Sequence, residues 1–364
     1  MVEERNCLDR KKERCTNYLS LQNTTCLKGI LSICILICHL WGPLIEGNPS
    51  LGDGIIGNTV GRICAVLGYL SVALFLFLSG YGLFVQYQKQ GEDYLDGFLL
   101  KRVVPLYLIN VILIGFYSFA NVLLGEEISL GIVIQSFFFG KTIVSKGWYI
   151  QSILLWYLFF FVVFKFIRKD KFKIVGIVGA FILYLMICLI MKLPSTWYEC
   201  AGCLMLGILW AKYLEQINHF LSRKKWLGLS ILLCGSLFIT SFIFGNFSFL
   251  PNPVRIAVKS ISACAFAVVA VLFLRIIPIN NVFTRFLGQI SLEIYVFHGF
   301  FLTLYRCKWI YINSGILYIA LIFISSIGLA FAVHPLFSII LRLGRKEKKK
   351  SGNENEIRLF GCKI

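Results

Sequence analysis

Residues 23–43 read NTTCLKGILSICILICHLWGP, and this stretch decides the class of the fold. It is an apolar run of about the length an α-helix needs to cross the roughly 30 Å hydrocarbon core of a bilayer. Two ionisable residues interrupt it, Lys28 at its start and His39 inside it. At about 100° per residue the interval from Lys28 to His39 is close to three turns. Both side chains therefore project from nearly the same face, roughly 16 Å apart along the axis. Ionisable groups inside a spanning helix are costly and usually face an interior cavity. Taken alone, a snorkelling lysine and a histidine hydrogen-bonded to a neighbouring helix explain the pattern equally well.

Similar runs recur along all 364 residues, of which 58% are hydrophobic and 15% charged, with a mean hydropathy of +0.79. A soluble domain would carry about 25% charged residues. The chain reads as an all-α membrane protein with about ten spans. These are expected near 25–45, 60–86, 98–122, 147–167, 173–191, 197–214, 226–246, 254–275, 286–306 and 314–341. The segment from Leu130 to Gly140 is too short to cross and reads as a re-entrant or surface piece. One transmembrane domain over residues 25–341 is expected between a polar N-terminal tail, 1–24, and a basic C-terminal tail, 342–364.

The net charge of +18 does not point to nucleic acid, because the cations follow membrane topology. Of 36 Lys and Arg residues, 28 fall in the tails and the alternate loops that share their side. That bias places both termini in the cytoplasm, and makes RKEKKK near the C-terminus an anchor that also touches anionic lipid. The 13 cysteines lie mostly in apolar runs and read as small buried hydrophobes. Cys200 and Cys203 form a single CxxC without a second pair, so no zinc site is expected. The polar N-terminus shows no small-residue cleavage motif, and no removable signal peptide is expected.

Three further stretches carry candidate chemistry. The second span ends FLFLSGYGLF, where Ser79, Gly80 and Gly82 would let a helix or a ligand approach the backbone. The third opens LLKRVVPLYL, with Lys101 and Arg102 at its cytoplasmic start and Pro105 a turn later. Such a helix start would suit phosphate, although topology alone also explains the two cations. The ninth holds SLEIYVFH. Glu293 and His298 lie about 140° apart on the wheel, whereas Ser291 and His298 share a face. His219, in a loop, and His334, beside Pro335, belong to no motif. Trp148 and Tyr149 read as part of an interfacial aromatic belt.

Taken in order, these landmarks resemble the acyltransferase-3 family of integral-membrane acyltransferases, which includes bacterial O-acetyltransferases of surface polysaccharides. They are Lys28 and His39, FLFLSGYGLF, KRVVPLYL, the WY at Trp148, and SLEIYVFH, spread over residues 23–341. The resemblance implies transfer of an acyl group, usually acetyl, from cytoplasmic acyl-CoA to a hydroxyl of an envelope glycan or its lipid-linked precursor. It assigns His39 as the essential histidine, with Lys28 as its basic partner, and matches Arg102 to an arginine of the family motif. Many members carry a second arginine where this chain has Leu99; Lys101 would stand in as a point charge without a bidentate fork.

On this reading Lys28, Lys101 and Arg102 hold the phosphates of acyl-CoA, with Ser79 lining the donor site. His39 acts as general base or carries the acyl group, and Glu293 or His298 orients it or positions the acceptor. The expected partners are acyl-CoA as co-substrate, the glycan or lipid-linked oligosaccharide acceptor, and the bilayer of a bacterial cytoplasmic membrane. No tightly bound cofactor, metal or nucleic acid is expected, and homo-oligomerisation is compatible with the sequence. No extracytoplasmic hydrolase-like domain is read in the chain, so transfer would be direct or through a partner. The rival reading is a proton-coupled exporter using His39, Glu293 and His298 as a relay. Its expected signature, similarity between inverted halves, is not evident in the sequence.

Overall fold

The computed structural model describes residues 18–245 and 250–343. Most of the N-terminal tail and the basic Arg345–Lys350 stretch lie outside these residues. The described chain is helical, with no strand beyond an isolated bridge between Arg306 and Tyr311. Thirteen α-helices follow one another among the described residues. They are α1 Leu21–Gly47, α2 Gly54–Gln90, α3 Val104–Leu124, α4 Leu130–Ser136, α5 Trp148–Phe166, α6 Asp170–Ile190 and α7 Gly202–Lys212. The remainder are α8 Leu214–Phe220, α9 Lys224–Gly245, α10 Asn252–Ile276, α11 Val282–Gln289, α12 Ser291–Leu304 and α13 Gly315–Leu341.

Eight of these helices, α1, α2, α3, α5, α6, α9, α10 and α13, are long and apolar enough to cross a membrane, and α11 with α12 makes a ninth if counted as one broken span. All ten expected positions are helical. Two differ from a simple crossing. Around 197–214 the chain spends Ser195–Trp197 on a 3-10 turn and leaves only 11 residues in α7, about 16 Å of axis. Near 286–306 the helix breaks at Ile290. The 7-residue α4 is too short to cross, as the sequence suggests.

The chain forms two compact units. Of the described residues, one unit contains those up to Lys89 and those within Ile177–Gly288; the other contains Gln90–Gly176 and those from Gln289 on. In the first unit, α1 starts at Ser20, whose hydroxyl accepts the Asn23 amide and satisfies one of the unpaired donors of the first turn. Glycines then set how closely helices approach. A Cβ at Gly80 would strike the Leu204 carbonyl, and one at Gly207 would strike the backbone of Phe77 and Tyr81. α2 and α7 therefore cross with backbone against backbone, a device suited to lipid, where close packing replaces the hydrophobic drive. Gly29 and Gly288 do the same for α1 and α11: added methyls would meet the Thr284 and Thr25 carbonyls. α9 pairs with α10 and exposes Leu232, Leu233, Leu237 and Ile239, as a lipid-facing helix should.

In the second unit α3, α12 and α13 pack together, and α5 lies against the turn that precedes α3. That turn, Leu99–Val103, is a π-helix. Pro105, which lacks an amide hydrogen, sits two residues after it, in the first turn of α3. Phe98 anchors the turn, its ring 5.4–6.2 Å from those of Tyr94, Tyr157, Phe160 and Phe161. α3 ends at Gly125, whose φ of 75° is the left-handed stop that glycine adopts without strain.

Candidate functional site

In the first unit, α1 is unbroken from Leu21 to Gly47, so the helical register between Lys28 and His39 holds in three dimensions. Both side chains are half-buried. Next to Lys28, Gly29 presses α1 onto α11; next to His39, the Cys38 side chain fills the space a Cβ at Gly68 would need. Two residues beyond, the Trp41 indole covers Gly61. The histidine thus lies on the stretch of α1 that faces glycines of α2. Ser79, half-buried on α2, donates to the Phe75 carbonyl at 2.8 Å. Gly80 beside it is committed to the α7 crossing, while Gly82 faces open space. Tight packing accounts for Gly80 and leaves Ser79 and Gly82 as the part of this motif a ligand would meet.

In the second unit, Lys101 and Arg102 occupy the π-helical turn, half-buried. The Lys101 amide already donates to Gly97 O at 2.9 Å, so at this position an anion would be held by side chains. The Lys101 ammonium donates to the Asp96 carbonyl at 3.1 Å. The Asp96 carboxylate turns to Lys165 at 2.7 Å. The hydrogen bond from Lys165, then its charge, hold the Asp96 carboxyl below the usual carboxylate range, with a smaller pull from Lys101. Nearby, Lys173 is buried and lies 3.5 Å from Glu92 and 3.2 Å from Asp170. Two of the cations counted as topology markers, Lys165 and Lys173, thus also fasten helix ends through ion pairs.

α12 carries the other two expected residues, and they part company. His298 is fully buried, with Nδ1 3.2 Å from the Ile294 carbonyl one turn back. Around it, Tyr117 donates to the Val296 carbonyl at 2.8 Å and Tyr295 to the Lys146 carbonyl at 2.6 Å. Glu293, also buried, reaches across to α13, where its Oε1 lies 2.7 Å from Nδ1 of His334. On the far side of that ring, Nε2 lies 3.2 Å from Oγ of Ser338. His334 belongs to no motif in the sequence, where it sits beside Pro335. The available signal was a lone histidine in an otherwise apolar helix.

The CxxC does not act as a pair. Cys200 Sγ lies 3.5 Å from the Tyr69 carbonyl, and Cys203 faces Cys264 of α10 at 3.9 Å. Among the described residues no three His, Cys, Asp or Glu side chains converge as a metal site would require.

The acyltransferase-3 family profile, described as an acyltransferase domain, matches residues 22–334. That interval contains Lys28, His39, Ser79, Lys101, Arg102, Glu293, His298 and His334. No curated protein and no solved structure matches the chain.

Proposed function

The chain belongs to the acyltransferase-3 family, and on that premise we propose that it moves an acyl group, acetyl in the first instance, from cytoplasmic acyl-CoA to a hydroxyl of an envelope polysaccharide or its lipid-linked precursor. The setting proposed is a bacterial cytoplasmic membrane, with both termini cytoplasmic. The observation that carries the reading is the family match over nearly the whole chain, joined to one unbroken helix that aligns Lys28 with His39. Acyl-CoA is a polyanion, and cations suited to its phosphates are Lys28 in the first unit and Lys101 and Arg102 in the second. Ser79 lines the donor path. His39 takes the proton of the acceptor hydroxyl, or carries the acyl group to it. Glu293 and His298 serve the handling of the acceptor.

Release of CoA thiol by purified protein, in the presence and absence of an envelope glycan fraction, tests this directly. Wild type is expected to consume acetyl-CoA and to do so faster with acceptor. His39→Ala is expected to lose that acceptor-stimulated rate by about two orders of magnitude or more, in line with removal of a general base. A wild-type protein that leaves the thioester intact would return the intramembrane histidines and glutamate to an exporter's proton relay.

A further inference from the structure

We propose that Ser338 is a covalent acyl carrier, activated by His334 and Glu293; the proposal rests on the acyltransferase reading and adds a nucleophile to it. The three side chains form an ordered relay within the second unit. Glu293 Oε1 lies 2.7 Å from His334 Nδ1, and His334 Nε2 lies 3.2 Å from Ser338 Oγ. With Glu293 ionised, the carboxylate accepts the Nδ1 proton, which leaves the Nε2 lone pair for the serine hydroxyl. That is the arrangement by which an acid, a histidine base and a serine nucleophile work on unrelated folds, recognised by geometry rather than by chain position.

Several features suit the group to this task. Glu293 is 2% exposed and Ser338 9%, while the His334 side chain between them is 20% exposed, so the acid is shielded and the imidazole can be reached. A buttressing histidine needs one partner, whereas His334 has the carboxylate on one nitrogen and the hydroxyl on the other. His334 and Ser338 are four residues apart on α13, one turn of the same helix face. α3, which begins at the basic turn with Lys101 and Arg102, packs against both α12 and α13. In the proposed orientation α13 returns to the cytoplasm and Ser338 lies three residues before its end, about 5 Å of axis. This is the cytoplasmic side, from which the proposed donor comes.

The step balances without a further reagent. Ser338 Oγ attacks the thioester carbonyl, and His334 Nε2 takes the hydroxyl proton. The C–S bond breaks, and the imidazolium returns the proton to the departing thiolate, giving acyl-serine and CoA thiol. The acceptor hydroxyl then attacks the acyl-serine, its proton is taken by a histidine base, and that proton is passed on to Oγ as the C–O bond breaks. Glu293 stabilises the His334 imidazolium formed in the first half.

The full chain, reconstituted in lipid nanodiscs, is treated in parallel with a fluorophosphonate probe and with radiolabelled acetyl-CoA, then quenched in acid. Wild type is expected to take both labels on the peptide that contains Ser338. Ser338→Ala, with its thermal transition retained, is expected to take about tenfold less of each. If Ser338→Ala does not fold, Ser338→Cys decides: its acyl label should become sensitive to neutral hydroxylamine, as a thioester is and an oxygen ester is not. Equal labelling of Ser338→Ala, label on another residue, or an unlabelled wild type would overturn the carrier. Undiminished glycan acylation by Ser338→Ala would also overturn it while leaving the acyltransferase reading intact. Fluorophosphonate labelling of Ser338 in a protein that consumes no acetyl-CoA would instead fail the donor assignment, and the carrier with it.

Discussion

Tyr18 shows how much can depend on one hydroxyl. It is 2% exposed, its oxygen accepts the Trp210 indole N–H at 3.0 Å, and the Arg275 guanidinium lies over its ring at 5.4 Å. Burial pushes the phenol up, against smaller downward pulls from Trp210 and Arg275, so it remains a neutral acceptor at physiological pH. Arg275 in turn donates to the Asn218 side chain at 2.5 Å. Tyr18→Phe leaves a buried N–H without its partner, and should cost about 1–3 kcal/mol of stability, read as a lower thermal midpoint in detergent. An unchanged midpoint would show that the Trp210 N–H finds another acceptor. At this same scale the sequence was an uneven guide. Lys28 and His39 were legible because their interval fits the helical repeat on a single element. Ser338 and His334 were not, because their meaning depends on Glu293 from another helix, and a pairing between elements leaves no periodicity to read.

At the scale of elements, helix positions were legible because lipid demands long apolar runs with every backbone group satisfied internally. The departures occur where that demand is relaxed: α7 is cut short by a 3-10 turn, and the ninth position breaks at Ile290. Small-residue spacing pointed to close approach, and Gly80 with Gly207 shows its purpose. Gly207→Val should force α2 and α7 apart and destabilise by roughly 1–3 kcal/mol or more, while Gly82→Ala, facing open space, should change the midpoint little. Equal effects from the two substitutions would contradict the crossing. The π-helical turn supports a functional prediction. Asp96 adds a negative charge beside it, and its depressed carboxyl remains ionised above the ordinary carboxylate pKa of about 4; only as pH falls through its lowered value is the pair with Lys165 lost. Asp96→Asn at neutral pH removes that negative charge beside Lys101. The KM for acyl-CoA should fall about two- to five-fold at low salt and return toward wild type as salt is raised. A KM that does not move would detach the turn from donor phosphates.

For the whole molecule, composition and charge placement were enough to identify a polytopic membrane protein, and the family match makes it a membrane acyltransferase. The acceptor was not legible, because recognition of a glycan depends on the shape of a cavity assembled from many helices and not on any one segment. The central claim is that this chain acylates an envelope glycan through His39. The most direct measurement is mass spectrometry of envelope glycans from cells carrying the wild-type gene, no gene, or His39→Ala at equal protein level. An acetyl-sized mass increment present only with wild type is the predicted result, and it identifies activity, acceptor and histidine together. Identical glycan profiles from all three strains, with the acceptor present, would contradict the account.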